Sequence, residues 1–164
     1  MKYCFILLLL LTGEKKIIGQ TFFTGLGYLE CLHTGIELPI STRKTLEFSA
    51  GIQPFQWKDQ HTFSISAGIF TRNKLKESSK KIIPISYGVR STLWNFENKF
   101  NHFVNLSIAP LIRYDLYISK NSGIRLSGGY AFNNVIFYKR KTFTEVGWPR
   151  NWLPSFALSW TYSY

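Results

Sequence analysis

Along this chain apolar and polar residues alternate one by one, in block after block. From Leu46 the apolar set is Leu46, Phe48, Ala50 and Ile52, with Glu47, Ser49, Gly51 and Gln53 between them. Phe63, Ile65, Ala67 and Ile69 alternate with Thr62, Ser64, Ser66 and Gly68. Ile83, Ile85, Tyr87, Val89 and Leu93 stand against Ser86, Gly88, Arg90 and Thr92. The longest run begins near Phe100 and sets Val104, Leu106, Ile108, Ile112, Tyr114 and Leu116 against Asn105, Ser107, Arg113 and Asp115. Ile124, Leu126, Tyr130 and Phe132 oppose Arg125, Ser127 and Gly129, and the closing SFALSWTYSY (155–164) alternates to the last residue. Successive side chains of a strand point to opposite faces, so a period of two predicts strands with one apolar and one polar face. A less regular strand is predicted over Gly25–Leu38, with Glu30 on its apolar side.

Between the runs lie polar connectors: STRK, WKDQ, RNKLKESSKK, NFENK and SKNSG. Pro39, Pro54 and Pro84 sit at strand ends, where a missing N–H costs least. Asn133-Asn134 reads as a tight turn, Val135–Lys141 as a short strand and Phe143–Trp152 as a loop. Pro110 interrupts a long run and is read as a bulge or, alternatively, a strand boundary. Eight strands result if Val135–Lys141 is the seventh. With both chain ends on one side, that topology sends RNKLKESSKK (72–81) and the Lys139–Arg150 region together to the other.

Composition narrows the setting. The 164 residues suffice for one domain. The first twenty read as a signal peptide: Lys2 is followed by the apolar Phe5–Leu11, too short to span a bilayer as a helix, and Ile18-Gly19-Gln20 offers a cleavage point. Residues 21–164 then form the mature domain. The formal charge of +11 becomes +9 once three lysines and one glutamate leave with the leader, which favours acidic surfaces. Cys31 is the one cysteine of the mature chain, which supports neither a disulfide framework nor a metal site, and no cofactor motif is present.

Alternation alone fits a soluble barrel with an apolar core or a membrane barrel turned inside out. The minor face is nearly all Ser, Thr, Gly, Asn, Gln, Glu and Arg, and inward glycines (Gly35, Gly51, Gly68, Gly88, Gly129) would make room for Arg90, Arg113 and Arg125. Trp57, Trp94, Trp148 and Trp152 fall at strand ends or in connectors, where lipid would meet water. Phe156, Leu158, Trp160, Tyr162 and the terminal Tyr164 resemble the closing strand of Gram-negative outer-membrane β-barrels. The resemblance implies a small antiparallel transmembrane β-barrel of about eight strands in the outer membrane, its last strand read by the barrel-assembly machinery. Lipopolysaccharide and outer-membrane lipid would be its surroundings.

For chemistry, the inward charges Glu37, Glu47, Arg90, Arg113, Asp115 and Arg125 are expected to pair as a lumen network, since unpaired charges in a narrow lumen are costly. The alternative is a narrow, porin-like pore or small-ligand barrel. Lys74, Lys76, Lys80, Lys81, Lys139, Arg140 and Lys141 are candidate lipopolysaccharide contacts. Nucleic acid is not an expected partner, because the aromatics lie on the apolar strand face and not among these lysines. An enzyme is not expected. The alternative, a lipid A-modifying barrel, would rest on His33 and Ser49, but His33 and Glu37 lie about 13 Å apart along one strand. Deacylases of that kind carry a His-x-Ser-Asn run where this chain has His102-Phe103-Val104-Asn105. The expected role is therefore structural or interactive.

Overall fold

The computed structural model describes residues 19–29, 31–52, 61–72, 85–97, 100–141 and 151–163. They form eight strands: β1 (Thr21–Gly27), β2 (Cys31–Pro39), β3 (Lys44–Ile52), β4 (His61–Arg72), β5 (Ile85–Glu97), β6 (Asn101–Tyr117), β7 (Ser122–Arg140) and β8 (Trp152–Ser163). Each pairs antiparallel with its sequence neighbours, and β1 pairs with β8, so the sheet closes into a barrel. Closure leaves no edge strand, the one arrangement in which every strand finds two partners.

The registers fix the barrel's shape. Thr21 lies opposite Glu37, Glu37 opposite Glu47, Glu47 opposite Gly68, Gly68 opposite Arg90, and Arg90 opposite Ala109. Continued by the same registers through β7 and β8, the circuit returns to β1 ten positions beyond its start, at 31 instead of 21. Eight strands so staggered tilt by roughly 35–45° and enclose an interior just wide enough for side chains to fill.

Two of the predicted strands are drawn differently. Gly25–Leu38 is not one strand but the hairpin β1–β2, turning at residues 28–30. Val135–Lys141 is not a separate strand, because Asn133-Asn134 lies inside the nineteen-residue β7. The expected strand count survives because the two differences cancel. Pro110 is neither bulge nor boundary. β6 and β7 keep one register on both sides of it, Ile108 opposite Phe132 and Leu111 opposite Gly129, while Ala109 and Pro110 between them lack ladder partners on β7. The bulge falls instead at Val104/Asn105, opposite Phe137 and Val135.

Direction follows from the redrawn hairpin. Thr21, Pro39, Lys44, Arg72, Ile85, Tyr117, Ser122 and Ser163 share one end, here the terminal end. Gly27, Cys31, Ile52, His61, Glu97, Asn101, Arg140 and Trp152 mark the far end. Arg72 and Ile85, the described flanks of the connector that holds RNKLKESSKK, lie at the terminal end, whereas Lys139–Lys141 lie at the far end, which corrects the expectation of a common side. At the terminal end strands stop close to their partners' ends. The far rim is slanted, low at the seven-residue β1 and high at β6–β7, which continue past Trp152.

Burial runs opposite to that of a water-soluble barrel. The interior holds His33, Glu37, Glu47, Arg90, Asn105, Arg113, Arg125 and a large set of serines and threonines, all buried. Phe22, Phe48, Ile65, Ile69, Val89, Leu93, Ile108, Ile112, Leu126, Phe156, Leu158 and Trp160 point outward and are exposed. Gly35 shows how tightly the interior is filled: a Cβ there would collide with the Phe48 carbonyl oxygen and the tip of the Phe23 ring.

Candidate functional site

The six charged residues of the inward face are gathered into one network in the terminal half of the lumen. Glu37 and Glu47 lie directly opposite each other on β2 and β3, an arrangement that repels unless cations intervene. Three arginines do so. Arg90 reaches Glu47 with Nε to Oε1 at 2.9 Å. Arg113 contacts Glu47 through Nη2 and Glu37 at 3.5 Å through Nη1. Arg125 donates from Nη1 to Glu37 Oε2 at 2.5 Å and from Nε to Asp115 Oδ1 at 2.6 Å. Three carboxylates against three guanidiniums leave this set neutral, and Arg72, half exposed at the rim, adds a longer contact of 3.7 Å to Glu37.

Backbone position explains why these long side chains meet. Glu47, Gly68, Arg90 and Ala109 follow one another around the wall. Gly68 and Ala109 supply almost no side chain, so Glu47 and Arg90 can extend across the space they leave. Phe70, 1% exposed, forms the floor on which the Arg113 guanidinium lies, with Arg90 at 6.0 Å from the ring centroid. A guanidinium on an aromatic face keeps its charge favourably placed while its plane is desolvated. The Nε of Arg113 has no hydrogen-bond partner.

Leu29, Phe70, Ala109, Leu111 and Ala131 form an apolar cluster inside the lumen, with Leu153 packed against it. Leu29 comes from the β1–β2 turn, whose following residue in the strand, Cys31, has φ of 55°. Farther along, Ser66 Oγ and Thr92 Oγ1 pair at 2.9 Å. Trp94 Nε1 donates to Ser107 Oγ, which donates to Asn133 Oδ1. Trp94 therefore points into the lumen and is not the lipid-level aromatic that its position near a strand end suggests.

His33 and Ser49 are both buried, but they are not joined. His33 Nε2 lies 3.0 Å from Ser159 Oγ, and Nδ1 lies 3.2 Å from the Cys31 carbonyl oxygen. His102, on the outer side of β6, hydrogen-bonds Asn95 Oδ1 at 2.7 Å. Lys139, Arg140 and Lys141 are exposed at the far end, where Lys141 Nζ meets Glu97 Oε1 at 2.5 Å. Phe156, Leu158, Trp160 and Tyr162 all face outward on β8. Lys74, Lys76, Lys80, Lys81, Trp57, Trp148, Tyr164 and residues 1–18 of the leader lie outside the described residues.

Phe23, Leu29, Phe70, Phe103, Leu111 and Leu153 are among the interior residues that the alternation did not single out. Phe70 had a signal, since it extends the inward phase of Ser64, Ser66 and Gly68. Its apolar character hid it.

The molecule is thus an all-β, eight-stranded antiparallel closed barrel with a filled, charge-paired polar interior. Comparison with protein-family models, curated proteins and solved structures returned no match.

Proposed function

We propose that this chain is an integral outer-membrane β-barrel with a structural or interactive role, exerted through its outer face and rims and not through catalysis. The observation that carries this reading is the inverted burial. Among the described residues, thirty large apolar or aromatic side chains are exposed, while the charged residues of six strand positions are buried. Soluble monomers seldom expose an apolar patch beyond a few hundred Å². A bilayer reverses that penalty and demands that backbone groups be satisfied within the protein, as a closed barrel does. The outward alternation of Phe156, Leu158, Trp160 and Tyr162 supports an assembly signal on β8, and the leader and β8 together support the outer membrane as destination. Lys139, Arg140 and Lys141 are proposed lipopolysaccharide contacts.

The filled lumen supports a structural core over a pore. His33 Nε2 is engaged with Ser159 Oγ, which supports a structural role for this histidine over a catalytic one. Fractionation of expressing cells, followed by electrophoresis of heated and unheated samples, tests the reading. We expect the protein in the outer-membrane fraction, with a band that shifts on heating. Recovery as a soluble periplasmic or secreted protein would overturn it.

A further inference from the structure

Among the described residues, the exposed charge at the terminal end is of one sign. Arg43, Lys44, Arg72 and Lys120 are all exposed there. Among the described residues, the acids of that half are Glu37, Glu47 and Asp115, and all three are buried in the lumen network.

Tyrosines stand just inside this rim. Tyr87 stands two residues into β5, Tyr114 and Tyr117 close β6, and Tyr162 is the penultimate residue of β8. Tyr87, Tyr114 and Tyr162 face outward, Tyr117 lies at the rim on the parity of Arg113 and Asp115, and all four are exposed. A tyrosine places an apolar ring in hydrocarbon and a hydroxyl among headgroups. Cations directly beyond such a girdle, on strand ends that stop nearly level with one another, meet the phosphate layer of a single leaflet. The acids that would repel that layer have been drawn into the barrel.

We propose that the terminal rim is a binding collar for anionic phospholipid headgroups, with Arg43, Lys44, Arg72 and Lys120 as phosphate ligands and Tyr87, Tyr114 and Tyr162 setting their depth. This rests on the membrane-spanning reading and goes beyond it by giving the terminal end its own lipid, distinct from the lipopolysaccharide proposed for the far end. Each cation held near an anionic lipid surface contributes on the order of fivefold in association.

The test uses the whole protein refolded into phosphatidylcholine vesicles containing a trace of spin-labelled phosphatidylglycerol or spin-labelled phosphatidylcholine. We expect the first probe to be immobilised several-fold more strongly than the second. The variant R43Q/K44Q/K120Q leaves Arg72 on Glu37 and its folding is verified by the heat shift of its band. In it we expect selectivity to fall close to unity. K139Q/R140Q/K141Q should keep most of it. Sodium chloride should weaken selectivity, and inorganic phosphate at equal ionic strength should do no more than chloride. Unchanged selectivity in the terminal-end variant, loss confined to the far-end variant, or specific competition by free phosphate would each overturn the proposal. Failure to enter the vesicles would overturn the spanning reading, and this proposal with it. Entry without headgroup selectivity would overturn the proposal alone.

Discussion

Glu47 is the residue on which the lumen depends most. It is 1% exposed and touches Arg90 and Arg113 with separate oxygens, so each of its lone-pair sets is assigned. Removing it leaves two guanidiniums buried beside each other. We expect Glu47→Ala to lower unfolding stability by about 3–5 kcal/mol, the range for breaking a buried pair from one side. Glu47→Gln, which retains shape and one acceptor, should lose less. Urea titrations in lipid vesicles, followed by tryptophan fluorescence, measure both. A loss below about 1 kcal/mol for the alanine variant would mean that the arginines find other partners and that the network is not cooperative. Which residues face inward was largely readable from the alternation, because parity alone assigns Glu37, Glu47, Arg90, Arg113, Asp115 and Arg125 to one face. Their partners were not readable. Pairing Glu47 with Arg113 needs the register across four strands, which no local pattern encodes.

At the scale of the strand, the two misdrawn elements have physical causes. Gly27, Leu29 and Cys31 all carry odd numbers, and the hairpin turn spans residues 28–30, so the inward phase passes through the turn unbroken. Periodicity cannot detect a turn that preserves parity. No glycine or asparagine marks it either, because the left-handed position is taken by Cys31. In β7 the opposite happens: the bulge near Val135–Phe137 shifts the phase, so one strand reads as two. Asn133, suggestive of a turn, instead serves inside the lumen as an acceptor for Ser107. Pro110 faces outward midway along β6, its carbonyl directed toward Gly129 of β7, and it lacks the N–H that would complete the ladder there. Pro110→Val restores that donor in a β-favouring residue. We expect slower amide exchange in the 108–112 and 128–132 segments, read by mass spectrometry, and a gain of about 1 kcal/mol in urea. Unaltered exchange would show that the gap is held open by something other than the missing donor.

For the whole molecule, the redrawn hairpin matters more than the preserved strand count, because it reverses the end from which the long basic connector emerges. The charge network and the cluster of Leu29, Phe70, Ala109, Leu111 and Ala131 both lie in the lumen, one polar and one apolar obstruction. We expect no unitary conductance steps from the reconstituted protein in planar bilayers. Stable, reproducible steps would restore the pore reading. The obstruction was foreseeable only in part: eight strands imply a narrow interior, but Leu29 and Phe70 enter it from a turn and a strand end that the pattern had left unassigned.

The slanted far rim has a mechanical consequence. β1 meets β8 along only its own seven residues, Thr21 opposite Ser163 to Gly27 opposite Ala157, whereas β6 and β7 run together from Tyr117 and Gly123 to Asn101 and Arg140. A load applied between the two chain ends falls on the shorter of these seams and peels it one bond at a time. The barrel is therefore a cylinder with a built-in fastening, which opens beside its own termini long before the tall hairpin opposite gives way.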